Sequence, residues 1–509
     1  MAYDVKAFNL SWPAVPDATY YKVGEDVLGT SNYELIAEKV AKNSYRHANL
    51  ALTQPPSFWR YAIKACNANG CSAYSRPVNP DANKAIGYFK APGADSPWYG
   101  NAMALSGDGR VMAVSSYIAK SKGEVYVYTR DEAGQWSYQT TLSASNGDLG
   151  DDFGFALALS EDGSTLAVSA PHEDSSASGI DGDKLDNKVQ DSGALYVFTR
   201  TGSTWTERSY IKRAKKPVTG SLGYAVAISA DGSSIVAGVP EESAAYVFKR
   251  SVGSWTEQRL EALQSIGISN GFGIAAAISP DGSTIAIGAT GDQSGVVGDP
   301  FDRSANNAGA AYVFGLSSGN WVQQAYLKAA QPLAEAGFGI SVGLSRDGGT
   351  LAIGAWQERL PGIASGAAYV FTRTGGTYML AQRLLQPNPR LNGSFGRCVA
   401  LSADGMRLAV SAVSDRTISV GVNGSVEAGD GAAAGAVQTF DYNSGDWQPK
   451  AFVKAPNPDQ GDTFGGALNL SYDGKVMGVG ASTEQSAARG INGTQTDNSS
   501  PNSGAAYLY

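Results

Sequence analysis

Six carboxylates crowd one short stretch of the chain: Glu173, Asp174, Asp181, Asp183, Asp186 and Asp191. A hard cation such as Ca²⁺ takes about six to eight oxygen ligands. The run Asp181-Gly182-Asp183-Lys184-Leu185-Asp186 spaces three carboxylates closely enough to wrap one. These six residues are the candidate Ca²⁺ ligands, and Ca²⁺ is the one cofactor the sequence suggests. They fit equally a solvated acidic loop held by its own turns. The segment from Gln485 shares the register but keeps only Asn492 and Asp497, so a second ion site is not expected there. Asp148, Asp151, Asp152, Asp459 and Asp462 read as solvated turn residues.

Other chemistry is sparse. The two histidines, His47 and His172, are far apart, and no His/Cys cluster has zinc spacing. A Ser-His-Asp triad would have to rest on His172, which reads as a solvated loop residue. Phosphate-cradling and dinucleotide-binding glycine motifs are absent from the sequence. Acids are plentiful enough that a carboxylate pair acting on a glycan stays open as an alternative, but no catalytic residue is assigned. Cys66 and Cys71 flank Asn67-Ala68-Asn69-Gly70, a hairpin turn, and either bridge it or remain thiols. Cys398 stands where sister segments carry Ala, the position of a small core residue.

The elements that must position these residues follow from composition and repetition. Over 509 residues, 43% are hydrophobic, 17% are charged and 62 are glycine, which suits many short strands and tight turns. The net charge of −8 argues against nucleic acid and anionic membranes as partners, since both need clustered Lys/Arg. Lys212-Arg213 with Lys215-Lys216 is a short run that reads as solvated. No apolar stretch approaches the roughly 18 residues of a membrane span. Met1-Ala2-Tyr3-Asp4 leads straight into a strand-like segment, so an export signal is expected elsewhere.

One line recurs seven times: a small-residue strand, a Ser-x-Asp-Gly turn and a β-branched strand. Its turn aspartates are Asp108, Asp162, Asp231, Asp281, Asp347, Asp404 and Asp473. The mean step of about 61 residues suits one four-stranded propeller blade with variable loops. The Asp bonds its own backbone and the Gly accepts positive φ. A Tyr/Val/Phe-rich third strand follows, as in Gly366-Ala367-Ala368-Tyr369-Val370-Phe371. A fourth opens on an aromatic: Trp136, Trp205, Trp255, Trp321, Tyr378 or Trp447. These aromatics are read as blade packing. The seventh unit ends at Tyr509 without a fourth strand, yet Gly87-Tyr88-Phe89-Lys90 matches the fourth-strand ending Ala451-Phe452-Val453-Lys454. Residues 87–93 are therefore expected to complete the last blade and close a seven-bladed ring over 87–509, leaving no strand edge unpaired.

Residues 1–79 lack the repeat and read as six or seven short strands, followed by a linker at 80–86. Leu10, Trp12, Val15, Tyr21, Val23, Tyr61, Ile63, Ala65 and Cys66 stand in a pattern that resembles a fibronectin type III domain. In the repeats, Phe153-Gly154, Phe272-Gly273, Phe338-Gly339, Phe395-Gly396 and Phe464-Gly465, with endings such as Val168-Ser169-Ala170-Pro171, resemble FG-GAP repeats. That family includes the propeller of integrin α subunits and many bacterial surface proteins. Its D-x-D-x-D-G calcium loops are missing from the turns here, which have too few oxygen ligands, so those metal sites are not carried over.

The fold class is thus expected to be all-β: a seven-bladed propeller behind an N-terminal β-sandwich. Long connections between second and third strands, at about 172–192, 290–308, 413–434 and 482–503, gather on one rim, and long loops on a rigid scaffold usually carry function. The expected function is a non-enzymatic extracellular adhesion module, secreted or on a bacterial surface, that binds a protein or glycan through that face without inserting into membrane. The alternatives are a carboxylate-based polysaccharide-active enzyme and a structural spacer within a larger multidomain protein.

Overall fold

The fold was obtained as a computed structural model, which describes residues 1–509 apart from 54–58, 94–96, 118–120, 216–219, 252–253, 263–269, 361–362, 388–392, 418 and 425–432. Part of the 413–434 connection and Lys216 thus lie outside the described residues. The chain is all-β. Among the described residues its helical elements are two 3-10 turns, Ala82–Ala85 and Pro240–Glu242.

From residue 87 onward the described strands form seven four-stranded antiparallel sheets and one two-stranded hairpin, Arg359–Leu360 with Ile363–Ala364. In the second unit these are Leu157–Leu159, Thr165–Ala170, Ala194–Thr201 and Thr204–Ile211, paired in that order. Every residue of Thr165–Ala170 is buried, because both faces of the sheet pack on neighbouring sheets. The outer strand alternates exposed and half-buried residues instead. The last sheet joins Ala467–Leu470, Met477–Ala481 and Ala505–Leu508 to β8 (Gly87–Phe89), with Ala506 opposite Phe89 and Leu508 opposite Gly87.

First strands touch in a closed cycle, from Met103–Leu105 through each unit to Ala467–Leu470 and back. The Ser-x-Asp-Gly turns bind one another around that axis. Asp108 donates to the Glu161 carbonyl, Glu161 to Ala230, Ala230 to Pro280, Asp281 to Arg346, Arg346 to Ala403, Ala403 to Tyr472 and Tyr472 to Gly107, over 2.7–3.1 Å. Pro280 has no N–H, and Asp281 donates in its place. Arg346 of unit five pairs with Glu161 of unit two and lies over the Tyr472 ring of unit seven, spanning this end of the axis.

The Phe of each Phe-Gly pair packs edge-on against the third strand of its own unit: Phe338 meets Tyr369 at 5.3 Å and Phe371 at 6.3 Å. Glycine opens the third strand because it meets the next unit's backbone. At Gly309 φ is +83°, and a Cβ would lie 2.1 Å from the Phe338 carbonyl oxygen.

Seven strands precede the repeats. β1 (Ala2–Asp4), β2 (Ala7–Ser11) and β5 (Ser44–His47) form one sheet. β3 (Tyr20–Asp26), β4 (Glu34–Val40), β6 (Arg60–Asn67) and β7 (Gly70–Cys71) form another, with Cys66 and Cys71 bridged across the hairpin. Phe8, Val23, Leu52 and Tyr61 share a core cluster with Ile86, Tyr88 and Tyr507, so this region is packed onto the last sheet. Cys398 is half-buried, not fully enclosed, and its thiol donates to the Gly466 carbonyl.

Candidate functional site

Strand alternation puts the Ser-x-Asp-Gly turns on one rim and the second-to-third connections on the other, together with the links between units. On the turn rim, Arg46 donates to the carbonyls of Ala133 and Gly134, and Lys6 Nζ donates to the Lys475 carbonyl. The N-terminal strands therefore occupy part of that rim, and the turn that follows them reaches the unit-six loop, where Asn83 accepts from Val422 N–H.

Each long loop is braced from below by a buried ion pair. Lys212 meets Glu173 at 2.6 Å, Lys328 meets Asp292 at 3.0 Å, Lys454 meets Asp415 at 3.3 Å and Lys90 meets Glu484 at 2.7 Å. All eight groups are buried. The acid stands third after the last residue of the second strand and the lysine just past the end of the fourth. Burial pushes each ammonium down from its ordinary value, and the carboxylate opposes that shift. In units three and five, whose connections are short, Glu242 pairs with Arg213 and Glu358 with Arg383.

This corrects the expectation that Lys212-Arg213 is solvated. Both side chains are at most 4% exposed, since they neutralise Glu173 and Glu242. The lysines were visible in the sequence as the recurring end of the fourth strand, and the acids as a residue three positions past the second. Nothing local linked the two, because they lie 36–39 positions apart in units two, four and six.

In three units the loop then folds back along the outer edge of the fourth strand. Asp181 N–H donates to the Tyr210 carbonyl while its carboxylate accepts from Tyr210 N–H. Asn423 makes the same two bonds with Phe452, and Asn492 with Tyr88. All three residues have φ of 52–54°, a left-handed geometry that Asn and Asp tolerate. The loops thus cover edges that would otherwise invite pairing with other chains.

The six candidate Ca²⁺ ligands are consequently dispersed among separate bonds. Glu173 holds Lys212, and Asp181 holds the Tyr210 backbone. Asp174 accepts from Asp191 N–H, and Asp183 accepts from Leu185 N–H. Asp186 accepts from the N–H and hydroxyl of Ser176 and pairs with Lys188, whose hydrogen bond holds the carboxyl below its ordinary range. Asp191 has φ of 51° at the turn that enters the third strand. Among the described residues, no group of three or more His, Cys, Asp and Glu is arranged to hold a metal ion.

Of the carboxylates expected to be solvated turns, Asp148 is exposed and Asp459 half-buried, and the other three differ. Asp151, Asp152 and Asp462 are buried under the links between units. Asp462 accepts from Asp459 N–H through one oxygen, and the other has no partner among the described residues. Burial pushes Asp462 up to about 7, against the Asp459 hydrogen bond and with the charges of Glu484 and Asp459 adding to the rise. Asp151 is pushed up to about 6 mainly by burial, with Glu173 contributing. His172 is not free: its Nδ1 lies 2.9 Å from Asp152 Oδ2, and that hydrogen bond raises the imidazole above its ordinary value.

What faces outward on this rim is apolar at several loop tips: Leu149 (74% exposed), Leu185 (85%), Val297 (58%) and Phe301 (69%).

Two segments, residues 136–198 and 321–371, match the FG-GAP repeat model. No curated protein matches the chain in sequence. Similar solved structures include the Cps50 (Swd1) β-propeller domain of Myceliophteria thermophila, at 9% identity and a TM-score of 0.48, covering 83% of this chain and 99% of that one. The periplasmic gluconolactonase PpgL of Pseudomonas aeruginosa is similar at 14% identity and a TM-score of 0.42, covering 87% of this chain and 97% of that one. Similarity at this level bears on no activity.

Proposed function

We propose that the seven sheets are the blades of one closed propeller over 87–509, preceded by a linker at 80–86 and a fibronectin III-like sandwich over 1–79. We infer that the molecule is an extracellular adhesion module, secreted or displayed on a bacterial surface, that engages a protein or glycan through its loop-rich face. The observation that carries this reading is the pairing of exposed apolar tips with buried braces. Leu185 and Phe301 sit on loops anchored by Glu173–Lys212 and Asp292–Lys328. Apolar side chains held out on rigid supports can serve as anchors that a partner buries at the centre of an interface. The Cys66–Cys71 bridge favours an oxidising compartment.

The enzyme alternative gains little from the raised carboxyls. Asp151 and Asp462 are 5% and 0% exposed, beneath the loops, where a glycosidic oxygen does not reach. Screening the protein on a glycan array and against extracellular-matrix proteins, with Leu185→Glu and Phe301→Glu beside it, tests the reading. Binding without turnover is expected, weakened at least about tenfold in one or both variants. A ligand retained by both variants, or no ligand in either screen, overturns it.

A further inference from the structure

Between units four and five the loop-rich rim opens into a cavity of about 720 Å³, lined in part by Gln331, Leu333, Glu358, Arg359, Tyr369 and Arg383. The sister units explain why it is there. In units two, six and seven the second-to-third connection lies back along the fourth strand and covers its end. In unit five that connection spans only 356–366, and among the described residues none of it bridges to the end of Thr377–Leu384.

The residues at this end have changed with it. Where the sisters carry Tyr88, Tyr210, Tyr326 and Phe452, unit five carries Arg383, and where they carry the buried lysine it has Leu385. The sister acid survives as Glu358, 2% exposed. It accepts from the Tyr369 hydroxyl at 2.7 Å and pairs with Arg383. Arg383 is 35% exposed, and a guanidinium has five donors, so the ion pair leaves N–H groups facing the cavity mouth. Arg359 is exposed; its backbone pairs with Ala364, and its guanidinium charge reaches the Glu335 carboxylate. The cavity thus offers two guanidiniums, one paired with Glu358 and the other only within reach of the charge of Glu335.

We propose that this cavity binds a carboxylate-bearing sugar residue of an acidic polysaccharide. Arg383 and Arg359 hold the carboxylate, Gln331 meets a hydroxyl, and Leu333 lies under the apolar face of the ring. The volume falls in the range of small-molecule sites, and planar guanidiniums match a carboxylate's two oxygens. The assignment rests on the glycan branch of the adhesion reading and names the place and chemistry of recognition.

Calorimetric titration of the intact protein with oligogalacturonate tests it, with neutral galacto-oligosaccharide as control. Arg359→Ala removes an exposed side chain whose interaction on the protein is the charge it presents to Glu335, and Arg383→Tyr restores the sister residue beside Glu358. Oligogalacturonate is expected to bind wild type and to weaken at least about tenfold in both variants while their melting temperatures hold, and the neutral oligomer is expected not to bind. No binding of oligogalacturonate, equal binding of the neutral oligomer, or affinity unchanged in both variants overturns the proposal. A ligand from the screens that is lost in Phe301→Glu but kept in Arg359→Ala defeats this pocket and leaves the adhesion reading standing.

Discussion

Asp181 shows how a charged residue acquires a role from its repeats. Its carboxylate and N–H clamp Tyr210, as Asn423 clamps Phe452 and Asn492 clamps Tyr88. Two sister loops do this with a neutral amide, so the charge is dispensable and the acceptor oxygen is not. Asp181→Asn should therefore leave the urea midpoint within error, whereas Asp181→Ala should cost about 1 kcal/mol by stranding the Tyr210 N–H. In the same samples EGTA should shift the melting temperature of neither protein; a clear drop on chelation, reversed by Ca²⁺, would return these carboxylates to the ion-binding account. The acid-rich composition of this loop was plain in the sequence, but its meaning was not. A ligand set and a set of separate backbone clamps have the same composition, and the chelation experiment separates them. The Lys–acid braces were hidden for a related reason, since burial and pairing belong to strands that meet only after folding.

The strands and turns were more legible. Small residues, Asp-Gly and β-branched runs fix a first strand, a turn and a second strand from local chemistry, and the sheets follow that order. In the links between units Asp148 is exposed as its turn suggests, but Asp151, Asp152 and Asp462 are buried, because they lie beside the braces and not at the rim. Asp462 is the sharpest case. It is enclosed with Glu484, Asp459, Lys90, Lys454 and the Tyr507 hydroxyl near enough to influence its charge or be influenced by it. Its folded value of about 7 lies above the ordinary 3.8. The folded state therefore binds the proton more tightly, and the associated stability is complete below the ordinary value and lost as pH rises to about 7. That loss is on the order of a few kcal/mol. Asp462→Asn keeps an acceptor for Asp459 N–H and cannot ionise. Urea midpoints at pH 5 and pH 8 should show wild type losing more stability than the variant over this interval, with the variant the more stable protein at pH 8. Equal changes in the two proteins would mean that Asp462 does not titrate in this window.

At the scale of the whole molecule, two devices shut the ring. The turns bind each other in a cycle around the axis, and β8 completes the last sheet against Ala505–Leu508. The second device joins points about 400 residues apart, a contact whose chain-entropy cost is high and whose reward arrives late in folding. It is also the place where the N-terminal strands pack, through Ile86 and Tyr88 in the cluster that holds Phe8 and Tyr61. Shortened chains separate these contributions. A chain of 80–509 keeps β8 and the Lys90–Glu484 pair, and it should melt cooperatively at a lowered temperature because the cluster has lost Phe8, Val23 and Tyr61. A chain of 93–509 lacks Tyr88, Phe89 and Lys90. It leaves the last sheet with an open edge and Glu484 buried without its cation, a loss of about 3–5 kcal/mol from the broken pair alone and about 1.5–3 kcal/mol for each large side chain removed. That sum rivals the whole stability of many domains, so 93–509 should bind ANS, aggregate and show no sharp calorimetric transition. If it instead melts as sharply as 80–509, the ring does not depend on β8, and the turn cycle around the axis is sufficient to close it.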